Sequence, residues 1–252
     1  VDHVAAFGHD SAAMSAGEMG IFPELMVGDA SKNLRRVFYL TDAVRKSARG
    51  DSGIQRLHVV GAGVMGGDIA AVGAMAGLDV TLTDMNEAAI DGAIARAAKL
   101  FERRLKTDDK IAAAKSRLRA DKDGNGAGDA DLIIEAVAEK LAVKQAVFQA
   151  LEAASKPDAI LATNTSAIPL EDIATPLKAP ERLIGLHFFN PVPVLPLVEV
   201  IWSEFSDQNM VNRGMQFAGR IGKMPIRCKS ASGFLVNRAL LPYIFKAIEA
   251  VA

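Results

Sequence analysis

Two residues capable of acid–base chemistry, His187 and Glu199, stand 12 positions apart in the apolar run "GLHFFNPVPVLPLVEVI", residues 185–201. His187 falls near the end of an expected strand, where open α/β sheets gather their ligands. A carboxylate embedded among Val, Leu and Ile needs a partner, because an unpaired buried charge is strongly disfavoured. Brought together, the two side chains form a base and its orienter. The imidazole takes a proton from an alcohol, and the carboxylate stabilises the imidazolium that results. Removal of hydride from an alcohol requires that proton transfer. Spacing alone leaves a second reading open, in which His187 is a satisfied structural residue; His3, His9 and His58 are read that way.

A second cluster says what would take the hydride. In "LHVVGAGVMGGDIAAVGAMAGLDVTLTD", residues 57–84, Gly61, Gly63 and Gly66 follow an apolar run and open a helix. In that context Gly61 permits the tight turn, Gly63 lets a pyrophosphate approach the backbone, and Gly66 lets helix and strand pack closely. The helix N-terminus adds unpaired N–H groups for the anion. Asp84 follows Gly66 by 18 residues, at the end of the next apolar run. A carboxylate there accepts hydrogen bonds from ribose hydroxyls and repels a 2′-phosphate, which favours NAD over NADP. The competing reading is a glycine turn that only packs a βαβ unit.

These residues need elements to hold them. Short apolar runs at 55–60, 79–83, 132–136, 160–163, 183–188 and 198–201 alternate with longer helical stretches. The alternation predicts a Rossmann-type α/β fold, a doubly wound and mostly parallel sheet covered on both faces. Residues 87–119 form a helical insertion after the second strand, broken near "KTDDK" and long enough to reach over a ligand. Upstream, residues 1–30 show no clear period, and "SKNLRRVFYLTDAVRKSA" reads as a helix capped by Ser31, with "RGDSG" as a hinge. From Phe234 a new apolar helical segment runs to the last residue. The expected division is therefore 1–53 for an N-terminal segment and linker helix, 54–231 for the nucleotide-binding domain, and 232–252 for the start of an all-helical domain.

Composition narrows the partners. The 252 residues carry 29 Lys and Arg against 30 Asp and Glu, so no net field draws the chain to nucleic acid or to an anionic membrane, and a small molecule is the expected partner. A single cysteine, Cys228, rules out an internal disulfide and a cysteine-based zinc cluster and fits the cytoplasm. No apolar run suits a membrane span or a signal peptide, and the absent initiator Met suggests a chain cut from something longer. "DKDGNGAGDADL", residues 121–132, imitates a calcium loop, but Leu132 stands where a bidentate Glu is needed, so a solvated turn is expected and no metal. Asn164-Thr165-Ser166 formally matches a glycosylation acceptor, a match of little weight without evidence of secretion.

Five ordered motifs, "GAGVMGGDIA", "EAVAE", "TNTSAIP", "HFFNPVPVLPLVEV" and "GFLVNRALLPY", resemble the L-3-hydroxyacyl-CoA dehydrogenase family over about residues 54–252. The preceding "NLRRVFYL" helix and hinge resemble the linker that joins hydratase and dehydrogenase parts in bacterial multifunctional fatty-acid oxidation proteins. The resemblance implies NAD as cofactor, an L-3-hydroxyacyl-CoA as substrate and oxidation to the 3-ketoacyl-CoA. It makes His187 the catalytic base and Glu199 its partner. It places Ser166 against the substrate oxygen and the cofactor, Asn190 on the nicotinamide side, Met65, Glu139 and Lys144 against NAD, and Asn237 against the substrate. It further implies a hydratase part in the parent chain, a thiolase subunit as partner, and homo-oligomerisation weakened by the shortened helical domain. Two alternatives remain. One is a different hydroxyacid dehydrogenase, which would carry a lysine base in place of this pair. The other is an NAD-binding fragment with little or no turnover, because family members continue for another helical domain's length.

Overall fold

The structure, a computed structural model, describes residues 10–251; His3 and His9 lie outside them. The chain divides into two compact units, Val1–Lys46 and Ser47–Ala252.

In the first unit, residues within the stretch that shows no sequence period form a helix, α1 (Ser11–Val27), and α2 follows (Asp29–Ser47). Asp10 caps α1 by accepting from the Ala12 and Ala13 N–H groups. The cap expected at Ser31 is not one. That residue lies inside α2, where its hydroxyl accepts from Arg35 Nη1 at 2.6 Å.

The second unit is built on an eight-stranded sheet. Its elements run β1 (Arg56–Val60), α3 (Val64–Met75), β2 (Asp79–Thr83), α4 (Glu87–Arg104), α5 (Asp108–Arg117), β3 (Leu118–Ala120), β4 (Leu132–Glu135), α6 (Leu141–Ala154), β5 (Ile160–Thr163), α7 (Leu170–Ala174), β6 (Leu183–Phe188), β7 (Leu197–Trp202), α8 (Gln208–Arg220), β8 (Met224–Lys229) and α9 (Val236–Glu249). The strand order is β3-β2-β1-β4-β5-β6-β7-β8. Successive strands run outward from β1 in one direction and from β4 in the other, so the β1/β4 boundary is the switch point where such sheets leave a crevice.

The central strands are apolar because both faces are covered. Leu132 and Ile134 of β4 point into one core with Leu57, Val59 and Leu82, while Ile133 points into the opposite core with Leu161, Phe148 and Leu183. Small residues let α3 lie close to the sheet; a Cβ on Gly73 would sit 2.8 Å from Leu57 Cδ2. On α8, Val211, Gly214, Met215 and Ala218 form the buried stripe, and Asp207 caps the helix through the Asn209 and Met210 N–H groups.

The sheet is mostly parallel, as expected, and three features go beyond what the sequence specified. β7 pairs antiparallel with β6, because the connection of residues 189–196 is too short for a crossover. β3 and β8 were not anticipated. The first has three residues, and the second carries Pro225, which a strand tolerates at an edge where its missing N–H faces solvent. The helices of the insertion pack chiefly on the core, and α4 reaches the glycine turn through Arg96, whose Nη2 donates to the Ala62 and Gly63 carbonyls at 3.4 and 3.3 Å. Ile90, Ala93, Ala97, Leu100 and Phe101 of α4 are buried in the core, and neither α4 nor α5 lines the two cavities described next.

Candidate active site

The glycine turn sits at the C-terminal end of β1. Gly61 has φ +104°, and a Cβ there would lie 2.6 Å from the Ala136 carbonyl oxygen on the neighbouring strand's exit. Gly66, one turn into α3, is tighter still: its Cβ would fall 1.8 Å from the Gly61 carbonyl oxygen. Gly63 differs, because no atom lies within 4 Å of a Cβ placed on it. It faces open space at the start of α3, where the first N–H groups lack partners within the helix. Open space, unpartnered backbone N–H groups and the positive end of the helix dipole make that cradle favourable to an anion such as a pyrophosphate.

Asp84 is tied into the same turn. One carboxylate oxygen accepts from the Ala62 N–H at 2.7 Å and the other from the Asn86 N–H at 2.9 Å. Gly61, Gly63, Thr83, Asp84 and Met85 line a cavity of about 520 Å³, closed on one side by Lys122, Asp123 and Gly124. The segment that imitates a calcium loop is therefore a wall of this cavity. Asp121 fixes it by accepting from the Asn125 and Gly126 N–H groups, and Leu132 is buried in β4. Among the described residues, no group of three His, Cys, Asp or Glu is placed to hold a metal.

A second cavity, of about 340 Å³, shares Ala136 and Val137 with the first. Met65, Glu139, Asn164, Ser166, His187 and Asn190 contribute to its lining. His187 and Glu199 are direct cross-strand partners in the β6/β7 register, and His187 Nδ1 lies 2.6 Å from Glu199 Oε2. The other Glu199 oxygen accepts from the Leu235 and Val236 N–H groups, at 2.9 and 2.8 Å, at the start of α9. Phe234, at φ +47°, turns the chain so that those two groups face the carboxylate. Burial acts to raise the Glu199 pKa, but the hydrogen bonds from His187, Val236 and Leu235 outweigh it and hold the carboxyl below its usual range. With Nδ1 committed, Nε2 is the imidazole nitrogen left for a substrate. The Phe189 and Phe234 rings, 4.5 and 5.8 Å from the imidazole by centroid, give it an apolar setting.

Across the cavity, Glu139 Oε1 accepts from Thr165 Oγ1 at 2.5 Å and from the Ser166 N–H at 2.8 Å. These bonds, with Lys144 at 3.2 Å from Oε2, overcome the effect of burial and hold the Glu139 pKa below its usual range. Lys144 itself is 1% exposed, pairs with Glu135 as well, and stands behind Glu139 rather than on the cavity wall. Asn237 donates from Nδ2 to the Ser166 carbonyl at 3.1 Å, at the rim.

Sequence reasoning passed over several contributors. Asn164, which stands in "TNTSAIP" but was given no role in the site, is a lining residue whose Oδ1 accepts from the Phe188 N–H at 2.9 Å and so joins β5 to β6. Its place after the apolar run "AILAT" was the available signal. Glu135 and Thr163 open the motifs "EAVAE" and "TNTSAIP", but nothing in the sequence pairs them with each other or with Lys144.

A switch-point crevice, a glycine cradle open at Gly63 and a histidine–carboxylate pair in the adjoining wall define a dinucleotide-dependent dehydrogenase domain. The family described as 3-hydroxyacyl-CoA dehydrogenase, NAD binding domain, matches residues 56–231. The chain belongs to the 3-hydroxyacyl-CoA dehydrogenase family. It is 44% identical over 204 residues to the 3-hydroxybutyryl-CoA dehydrogenase of Mycobacterium tuberculosis, a match covering 79% of this chain and 71% of that protein. It is 38% identical over 251 residues to the fatty acid oxidation complex subunit alpha of Pseudomonas syringae, covering 96% of this chain and 34% of the subunit. A crystal structure of 3-hydroxybutyryl-CoA dehydrogenase from Escherichia coli superposes with a TM-score of 0.76 at 38% identity, over 79% of this chain and 43% of that one.

Proposed function

We propose that the His187–Glu199 pair carries out the proton transfer in NAD-dependent oxidation of an L-3-hydroxyacyl-CoA to the 3-ketoacyl-CoA. The observation that supports this most directly is the 2.6 Å contact between His187 Nδ1 and Glu199 Oε2 in the wall of a cavity contiguous with the glycine cradle. The substrate hydroxyl gives its proton to His187 Nε2 while the carbonyl forms. Glu199 fixes the tautomer and orientation of the ring and stabilises the imidazolium. When bound, NAD supplies the acceptor for the hydride that leaves the same carbon. Gly61, Gly63 and Gly66 seat the pyrophosphate, and Asp84 takes the ribose hydroxyls. Met65, Glu139 backed by Lys144, and Asn190 flank the nicotinamide end, while Ser166 and Asn237 stand beside the substrate oxygen. The acyl-CoA substrate is supported by the names of the relatives.

The domain division at 1–53, 54–231 and 232–252 belongs to the same proposal, as do a hydratase part, a thiolase subunit, homo-oligomerisation and a cytoplasmic site of action. The match to the oxidation-complex subunit over 251 residues supports the multifunctional assembly. Among the described residues, no helix is long and apolar enough to cross a membrane.

The test is oxidation of NADH by acetoacetyl-CoA, run beside NADH titration. Turnover that His187→Gln reduces by roughly 10² to 10⁴, with NADH affinity unchanged, is the expected result. NADH binding without turnover in the unaltered chain assigns it a cofactor-binding role instead. Near-normal turnover in His187→Gln removes the base assignment.

A further inference from the structure

Glu135 ends β4 at the switch point and is fully buried. It is not a lining residue of either cavity. Its carboxylate is saturated: Oε1 accepts from Lys144 Nζ at 2.8 Å and the Val137 N–H at 2.7 Å, and Oε2 from Thr163 Oγ1 at 2.8 Å and Lys144 Nζ at 3.1 Å. Thr163 is its cross-strand partner on β5. Lys144 therefore lies between two carboxylates, Glu135 behind it and Glu139 in front, and Glu139 in turn holds Thr165 and Ser166. One ammonium shared by two acids is held back from each by the pull of the other.

We propose that Glu135 is a positioning residue for the nicotinamide-side wall: its buried charge draws Lys144 back, so that Glu139 keeps its outer oxygen for Thr165 and Ser166. This rests on the reading that the cavity of about 340 Å³ takes the nicotinamide end and the cavity of about 520 Å³ the adenosine end. Neutralising Glu135 removes one of the two pulls on the Lys144 ammonium and leaves Glu139 as its counter-ion. The ammonium then moves wholly onto Glu139, which gives up its grip on Ser166. The adenosine end is built on Gly61, Gly63 and Asp84, and Glu135 reaches it only through the Val137 N–H, a bond that the amide oxygen of a glutamine at the same position keeps.

Two ligands separate the ends. Glu135→Gln keeps the shape and removes the charge. It should raise the dissociation constant of NADH about tenfold, equivalent to about 1.4 kcal/mol, while that of ADP-ribose, which lacks nicotinamide, stays within about twofold. Glu135→Asp, which keeps the charge, should recover most of the NADH affinity. A role confined to packing would weaken both ligands in parallel and would not be rescued by charge. Thr163→Val, nearly isosteric and lacking the hydroxyl donor to Oε2, should shift the NADH to ADP-ribose ratio the same way by a smaller factor, and it decides the matter if Glu135→Gln does not fold. An unchanged ratio in the folded variants overturns the role of Glu135 alone. Failure of ADP-ribose to bind the unaltered chain would instead overturn the assignment of the two cavities.

Discussion

The His187 imidazole has one fixed commitment, Nδ1 to Glu199, and Glu199 has three, to His187 and to two backbone N–H groups of α9. That asymmetry supports the proposed roles, with the residue that has a free nitrogen as the one to move the proton and the saturated one as its orienter. Glu199→Gln should therefore slow turnover without changing NADH affinity. The double variant with His187→Gln should be far less impaired than the product of the two single losses, because an orienter has no role once its base is gone. Fully multiplicative losses would show that the two act independently. Asp84 supports a second expectation at this scale. Its carboxylate is pinned to the glycine turn by the Ala62 N–H, so it cannot easily withdraw from a 2′-phosphate. NADH should bind at least tenfold more tightly than NADPH, a difference of about 1.4 kcal/mol; equal affinities by calorimetry would remove the ribose role. The glycines, Asp84, His187 and Glu199 were legible because chemistry dictates their types and spacing. Glu135, Thr163 and Asn164 stood within the motifs, but their contacts were not legible, because those arise from strands that become neighbours only when the sheet forms.

At the scale of elements, the β1–α3 unit shows how one turn serves both fold and site. Gly66 is needed by the fold, since a methyl group there collides with the Gly61 carbonyl, whereas Gly63 has open space. Gly66→Ala should lower both the melting temperature and NADH affinity. Gly63→Ala should weaken NADH binding by tenfold or more while the melting temperature stays within about 2 °C, because its effect falls on the ligand's approach and not on packing. Parallel loss of stability in both variants would contradict that division. The strands of the sheet centre were readable for a related reason: two covered faces demand unbroken apolar runs, as in "LIIE" and "LIGLHF". The edges escaped because β3 is short, because β8 contains a proline, and because pairing direction depends on loop length rather than strand composition. Helix α1 escaped because its apolar residues are spread around the axis and none is buried.

Across the whole molecule, one buried group links the stability of the sheet to pH. His58, in the middle of β1, is inaccessible to solvent, hydrogen-bonds through Nδ1 with Thr81 Oγ1 at 2.8 Å, and has no partner for Nε2. Burial pushes its pKa down from 6.5 to about 4, and Asp121, 3.7 Å away, offsets only part of that. In the unfolded chain the same imidazole titrates near its ordinary value, so between those two points the unfolded state binds a proton that the folded state refuses. Stability is therefore fully present above about pH 6.5 and declines as pH falls toward 4, by about 3 kcal/mol over the window. Glu139, Glu171 and Glu199, whose pKa values are held low in the fold, add a loss of the same sign at the acidic end. A comparison with His58→Gln isolates the histidine, because those carboxylates titrate alike in both proteins and glutamine can keep the bond to Thr81 without taking a proton. The melting temperature of the unaltered chain should fall more steeply than that of the variant between pH 6.5 and 4.5, where most carboxylates are still ionised. Parallel curves through that interval would mean that His58 is protonated in the fold, with Asp121 as its counter-ion.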